Sequence, residues 1–375
     1  MIYFDNSATT YPKPESVYKA LDFANRNLAF NAGRGAYKES LDCIDIINQT
    51  RYEIASFTKQ DKNKVVFQSS ATESLNLIIN GLGLKDDDIV YISPFEHNSI
   101  VRPLYSLKNS TRIEIKILPF NKKTWEPEYD KIEEMFSIKR PKAVLISQLS
   151  NVTGYELPYD KIFALSKQFG AINVLDSAQS YGILNPILTN CDFCVFAGHK
   201  SLYASFGIAG FINVNDVKLQ VIKSGGNGSD SLNHYMPETG YQRYEAGSPN
   251  VVAIYGLLES CKWLKNNKEI IEHEKELTNY LIEKLVENNK VKLYLPDNKC
   301  VFGIVSFNID GYLSDDVSAI LYDEFGIMTR SGYHCSPHVH DFINSQMYKG
   351  TVRVSLGAFN TQSEIDELIA AIKTL

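Results

Sequence analysis

The chain has 375 residues, enough for two domains or for one large domain with an appendage. Apolar residues make up 44% and charged residues 22%, with Lys+Arg 38 against Asp+Glu 44 and a net charge of −6. That is an ordinary globular balance with no strongly basic stretch, which speaks against nucleic acid and an acidic membrane surface as partners.

The first residues, "MIYFDNSATT", carry no basic start and no apolar core of signal-peptide length, so a cytoplasmic location is expected. Two helical stretches follow, over 15–28 behind the breakers Pro12 and Pro14, and over 38–57. From about 60 to 215, short β-branched runs alternate with amphipathic stretches. The runs are "KVVFQ", "DIVYIS", "RIEIKIL", "KAVLIS", "INVLD", "DFCVFA" and "GIAGFINV". This alternation predicts an α/β architecture: a largely parallel sheet of seven strands with helices on both faces. No apolar run nears the roughly 18 to 20 residues that a membrane span needs.

After about 250 the pattern changes. A long helical stretch covers roughly 251–287, strand candidates follow at "VKLYL" and "CVFGIVSFNI", then a helix over 315–324, a strand at "GTVRVSL" and a last helix from Thr361. The reading is therefore a large domain over 1–250 and a smaller α+β domain over 251–375, with the first ~15 residues packing against the smaller one.

Ligands of such sheets bind beyond the carboxyl ends of the strands, where the unusual residues fall. After "VVFQSS", Ala71 and Thr72 open a helix whose free amides suit a phosphate, though an ordinary helix start would look the same. His97 follows "IVYISPFE", as a ring that could stack on a flat cofactor or as a surface cap. Asp176 ends "INVLD", and a carboxylate buried there calls for a cationic partner. Lys200 follows "DFCVFA"; a lysine partly buried there tends to lose its proton, and the free amine condenses with aldehydes. Together these supply what pyridoxal phosphate requires. The glycine-rich fingerprints of dinucleotide and nucleoside-triphosphate sites are missing.

Six cysteines stand at 43, 191, 194, 261, 300 and 335, without a tight disulfide framework. "CDFC" at 191–194 sits in a strand run and reads as two buried hydrophobes. "SGYHCSPHVH" at 331–340 leaves three readings open: zinc ligands drawn from Cys335, His338 and His340, an activated Cys335 nucleophile, or a structural cysteine.

The stretches "YFDNSATTYPKP", "SATESLN", "EHNS", "SNVTG", "DSAQ", "AGHK", "YEAGSPN", "GYHCSPHVH" and "GTVRVSLGAFNT" resemble, in order, the motifs of cysteine desulfurases of the class V aminotransferase fold, across essentially the whole chain. The resemblance implies fold type I of the pyridoxal-phosphate transferases and conversion of L-cysteine to L-alanine, with sulfur left as a persulfide on Cys335. It implies that Lys200 holds the cofactor and removes the α-proton, that Asp176 keeps the ring nitrogen protonated, that Gln179 bonds the ring hydroxyl and that His97 stacks on the ring. Ala71, Thr72 and His199 hold the phosphate in the family, and Ser248 reaches the phosphate of the partner in a homodimer. Asn151 and Arg353 hold the substrate, and Arg330 and Gly332 shape the cysteine loop. His334 or the positive charge of the site is expected to help ionise the thiol, and no metal is part of this reading.

Two departures stand out. Ala197 replaces a hydroxyl residue common two positions before the histidine of the "HK" pair, which leaves one phosphate bond either missing or supplied by Ser70 or Thr72. His338 stands where relatives often have an apolar residue. The short loop resembles the less mobile branch of the family, which implies a dedicated sulfur-acceptor protein. A selenocysteine lyase or another β-eliminating or sulfinate-cleaving enzyme would show the same residues, and a non-enzymatic binding scaffold is the alternative of another class.

Overall fold

The computed structural model describes residues 1–33, 35–228, 231–298 and 300–375. In chain order the elements are β1 (Ile2–Tyr3), α1 (Glu15–Asn27), α2 (Lys38–Ser56), β2 (Val65–Gln68), α3 (Ala71–Gly81), β3 (Ile89–Ile92), α4 (Asn98–Lys108), β4 (Glu114–Ile117), α5 (Tyr129–Ile138) and β5 (Pro141–Ser147). They continue with α6 (Tyr159–Gln168), β6 (Ile172–Asp176), β7 (Phe193–Ala197), β8 (Ala209–Asn213), α7 (Val251–Asn266), α8 (Ile270–Val286) and β9 (Val291–Leu293). The last are β10 (Ile304–Ile309), α9 (Ser314–Phe325), β11 (Ile327–Met328), α10 (Pro337–Phe342), β12 (Val352–Ser355) and α11 (Gln362–Ile372).

The seven-stranded sheet has the order β2-β8-β7-β6-β5-β3-β4. Six strands run the same way, and β8 alone runs antiparallel to both of its neighbours. The carboxyl ends of β2, β3, β5, β6 and β7 therefore share one edge. Side chains alternate across the sheet as the period of two requires: Val144, Ile146, Leu175 and Phe196 enter one core, while Leu145, Val174, Val195 and Phe211 enter another on the opposite face. α3 and α4 cover the second face through Leu75, Ile78, Ile100 and Leu104.

The first core runs on without a break into the C-terminal segment, through Val305, Phe307, Val354, Ile365 and Leu368. There β9, β10 and β12 form an antiparallel sheet, and β1 pairs in parallel with β11. The N-terminal segment thus lies against the C-terminal elements, with Ser355 N bonded to Phe4 O at 2.7 Å.

The single helix expected over 251–287 is two helices, α7 and α8. Asn267 leaves helical geometry, and its side-chain amide donates to Trp263 O at 2.7 Å, capturing a carbonyl at the end of α7. In "CDFC", Cys194 lies in β7 but Cys191 precedes the strand, and both thiols are buried and free. No helix of the described residues is long and apolar enough to cross a membrane.

Candidate active site

Five strand ends deliver one cavity. Its wall contains Ala71 and Thr72 after β2, His97 after β3, Asn151 after β5, Asp176 and Gln179 after β6, and His199 and Lys200 after β7, with Ala197 at the strand end itself. Eight of the predicted site residues are thus brought together by parallel register alone.

The turn carrying Lys200 needs a glycine. A Cβ on Gly198 would stand 2.6 Å from Ile208 O, so a side chain there would push the turn off β8. The N-terminal segment fastens the same turn from outside: Thr10 N, Thr9 Oγ1 and Lys13 Nζ all donate to His199 O, at 3.0, 3.0 and 2.9 Å. Burial pulls the Lys13 ammonium down to about 7.

Burial also pulls Lys200 down to about 8, opposed by Asp176 and reinforced by Arg353 and Arg330. Burial raises Asp176, while the amide of Ala178, 3.0 Å from Oδ1, and the Lys200 charge pull it the other way. His97 falls to about 3, first through burial and then through Lys200, Arg353 and Arg330. Its Nδ1 accepts the amide of Ser99 at 3.0 Å, so the neutral ring carries its proton on Nε2. His97 is therefore both the cap of α4 and part of the cavity wall. His199 also falls to about 3 by burial, and its ring stacks on Phe206 at 4.5 Å. Gln179 donates to Ser7 O at 3.1 Å.

These residues fit pyridoxal phosphate. Asp176 is a buried carboxylate on the cavity wall with one amide for company, which suits a protonated pyridine nitrogen. At the start of α3, Ser70 caps Glu73 N, and helix geometry leaves the amides of Ala71 and Thr72 without an intrahelical acceptor. His199 Nδ1 is buried without a partner among the described residues. Ser70 and Thr72 both stand in the cavity wall, where either hydroxyl can serve the phosphate in place of Ala197.

Cys335 and Arg353 lie outside that wall but within electrostatic reach of Lys200. Cys335 is exposed. Its segment is held hard: Gly350 approaches Gly332 so closely that a Cβ would sit 2.2 Å from Gly332 O, and Asn98 N donates to Cys335 O at 2.7 Å. Arg330 exchanges backbone bonds with Arg353 at the base of this loop, as an anchor would. Arg353 is buried, donating to Asn151 O at 2.8 Å and Asp5 Oδ1 at 2.6 Å.

His334 does not supply the positive charge expected of it. It is buried, its Nε2 donates to Thr351 O at 3.0 Å, and desolvation with Arg353 nearby drives its pKa well below the usual histidine range. Lys200 is instead the cation within electrostatic reach of the thiol, with Arg330 and Arg353 acting on Lys200 in turn. Among the described residues no three His, Cys, Asp or Glu side chains gather as a metal site. His340 turns its Nδ1 to Ser345 Oγ at 2.7 Å.

Ser248 is not in this cavity. It lines a separate one of about 490 Å³ with Arg51, Lys223 and Glu245. Asp5, Lys13, Glu96 and Ser336 contact the site yet were not legible as site residues. The first two stand in "YFDNSATTYPKP", whose density of polar residues was the only signal. Glu96 beside His97 and Ser336 beside Cys335 carried none beyond adjacency.

The class-V aminotransferase family model matches residues 2–368. A probable cysteine desulfurase of Borreliella burgdorferi is 30% identical, the match covering 100% of this chain and 91% of that protein. One of Pyrococcus abyssi is also 30% identical, covering 100% and 94%. A solved structure, the apo form of the cysteine desulfurase from Thermococcus onnurineus NA1, superposes with a TM-score of 0.91 at 29% identity, covering 100% of this chain and 95% of that one. Proteins of this family use pyridoxal phosphate, the cofactor that the cavity fits. With its motifs, sheet order and cavity in agreement, the chain belongs to the class-V aminotransferase family.

Proposed function

We propose that this protein is a pyridoxal-phosphate-dependent cysteine desulfurase that converts L-cysteine to L-alanine and leaves the sulfur as a persulfide on Cys335. The observation that carries the reading is the juxtaposition of Lys200 and Asp176 in one cavity with a Cys335 loop bonded to the cavity-wall residue Asn151. When bound, the cofactor withdraws electrons from the α-carbon of the amino acid it holds.

Lys200, made a weaker base by burial, removes the α-proton. Asp176 would keep the ring nitrogen of the cofactor protonated, Gln179 would bond its hydroxyl, and the neutral His97 would stack on its ring. Ala71, Thr72 and His199 hold the phosphate, and Arg353 with Asn151 holds the substrate carboxylate. The Cys335 thiolate attacks the substrate sulfur: an S–S bond forms, the C–S bond breaks with its electron pair going to the β-carbon, and a proton added there, with one returned to the α-carbon, completes alanine.

Mass spectrometry after a single turnover tests this. One added sulfur atom on the Cys335 peptide is expected, with alanine release abolished in Cys335→Ala while cysteine binding persists. Stoichiometric zinc without the adduct would end the reading. Turnover on selenocysteine, with and without Cys335, separates a selenocysteine lyase from a desulfurase.

The functional unit in this reading is a cytoplasmic homodimer with a large domain over 1–250 and a smaller one over 251–375. Ser248 completes the partner's phosphate site, which accounts for its absence from the cavity of its own chain. Ala32 lines the Ser248 cavity, and Phe30 and Tyr37, near it in sequence, are exposed. Sedimentation at low concentration checks this, a monomer with full cofactor occupancy being the contrary result. A dedicated acceptor protein collects the persulfide sulfur from the exposed Cys335.

A further inference from the structure

Ser336 opens α10 but does not cap it. A serine at that position ordinarily accepts an amide from the first turn; here the hydroxyl donates to Asn151 Oδ1 at 2.7 Å. The other end of the same amide, Asn151 Nδ2, donates to His334 O at 2.7 Å. One side chain thus grips the residues on both sides of Cys335, and Asn98 N holds the carbonyl of Cys335 itself.

What is gripped is strained. His334 and Cys335 are consecutive non-glycine residues with φ of 46° and 57°, in the left-handed region that side chains enter only at a cost. Such a pair persists only where its surroundings impose it. Ser336, His334 and Asn151 are all buried, so each bond of the clamp is shielded from water.

Resting on the desulfurase reading above, we propose that Ser336 is a positioning residue: through Asn151 it latches the Cys335 loop to the wall of the substrate cavity. The Asn151 amide meets both the nucleophile loop and the cavity, and one of its N–H hydrogens remains free for a substrate carboxylate. Releasing the hydroxyl leaves Asn151 Oδ1 buried without its donor and frees the strained pair to relax, while the residues proposed to hold the cofactor keep their own bonds.

The test uses the cofactor-loaded protein with Ser336→Ala, and Ser336→Thr as the variant that keeps the hydroxyl. Ser336→Ala is expected to keep the cofactor absorption spectrum and, by spectroscopic titration, the affinity for cysteine within about two-fold. Its kcat should fall roughly ten-fold, the scale of one lost buried hydrogen bond. The rate of Cys335 alkylation by iodoacetamide should change with it, and Ser336→Thr should restore both. A kcat within two-fold of the parent, or a loss of cofactor binding equal to the loss of kcat, would overturn the latch. Alanine release that survives Cys335→Ala would instead defeat the desulfurase reading, so the two failures are told apart.

Discussion

Arg353 and Asp5 lie 348 positions apart in the chain and meet at 2.6 Å, the guanidinium 2% exposed and the carboxylate 21%. The pairing comes from β12 lying beside the N-terminal segment, where Asp5 bridges Ser355. It sets the plane of the arginine proposed to receive the substrate carboxylate, and Arg353 Nε is left buried without a partner among the described residues.

Removing Asp5 strands a buried cation, which costs far more than a surface ion pair returns. Asp5→Asn is expected to lower the unfolding free energy by about 2 kcal/mol and to raise KM for cysteine. Urea denaturation and steady-state kinetics read the two effects, and an unchanged denaturation midpoint would show that Arg353 does not depend on this carboxylate.

Lys200 sits near 8, well below an ordinary lysine, because burial disfavours its ammonium form. Only the neutral amine condenses with an aldehyde. The rate at which apo-protein reacts with pyridoxal phosphate should therefore rise about ten-fold between about pH 7 and about pH 9 and then level off. Stopped-flow absorbance measures it; a rate still climbing steadily above pH 10 would mean an unperturbed lysine.

Glu96, fully buried beside His97, is pushed up to about 7 by desolvation, with bonds from Ser93 Oγ, Ser147 N and Ser147 Oγ only partly offsetting it. The folded protein thus holds a proton that the unfolded chain releases. Its contribution to stability is present below the ordinary glutamate range and is lost as pH rises through about 7. Glu96→Gln, close in shape to the protonated acid, should remove this slope, so that its stability relative to the parent grows between about pH 5 and about pH 7. Parallel denaturation curves across that window would refute the assignment.

Gly198→Ala is expected to lower stability by about 2 kcal/mol and to reduce cofactor retention, because the new Cβ meets the backbone oxygen of Ile208 at 2.6 Å. Thermal unfolding and cofactor content after dialysis check both. Retention equal to the parent would mean that the Lys200 turn tolerates the shift.

Much of this site was legible from local pattern. Asp176 and Lys200 announced themselves because a charge at the end of an apolar parallel strand is costly unless it works, and the strand period told where each strand ended. The runs "INVLD" and "DFCVFA" became β6 and β7, and Ala71 and Thr72 do open a helix. Local pattern failed where a single polar residue broke it. Asn267 ends α7 by turning its side chain onto a carbonyl, which helical periodicity does not register.

The sequence by itself determined the α/β class, the strand ends and the residue types gathered there, since these follow from periodicity and from the cost of burying charge. The tertiary structure alone decided which distant groups meet. The N-terminal segment lies against the C-terminal strands, pairing Asp5 with Arg353 and placing Lys13 on His199. The protonation of His334 was decided there as well. Composition marked it as a potential cation beside Cys335, but burial and the neighbouring Arg353 keep it neutral, against a bond to Thr351 that pulls the other way. The reason is common to all three: desolvation and hydrogen-bond partnership are properties of where the chain returns to itself, and residue identity does not specify that return.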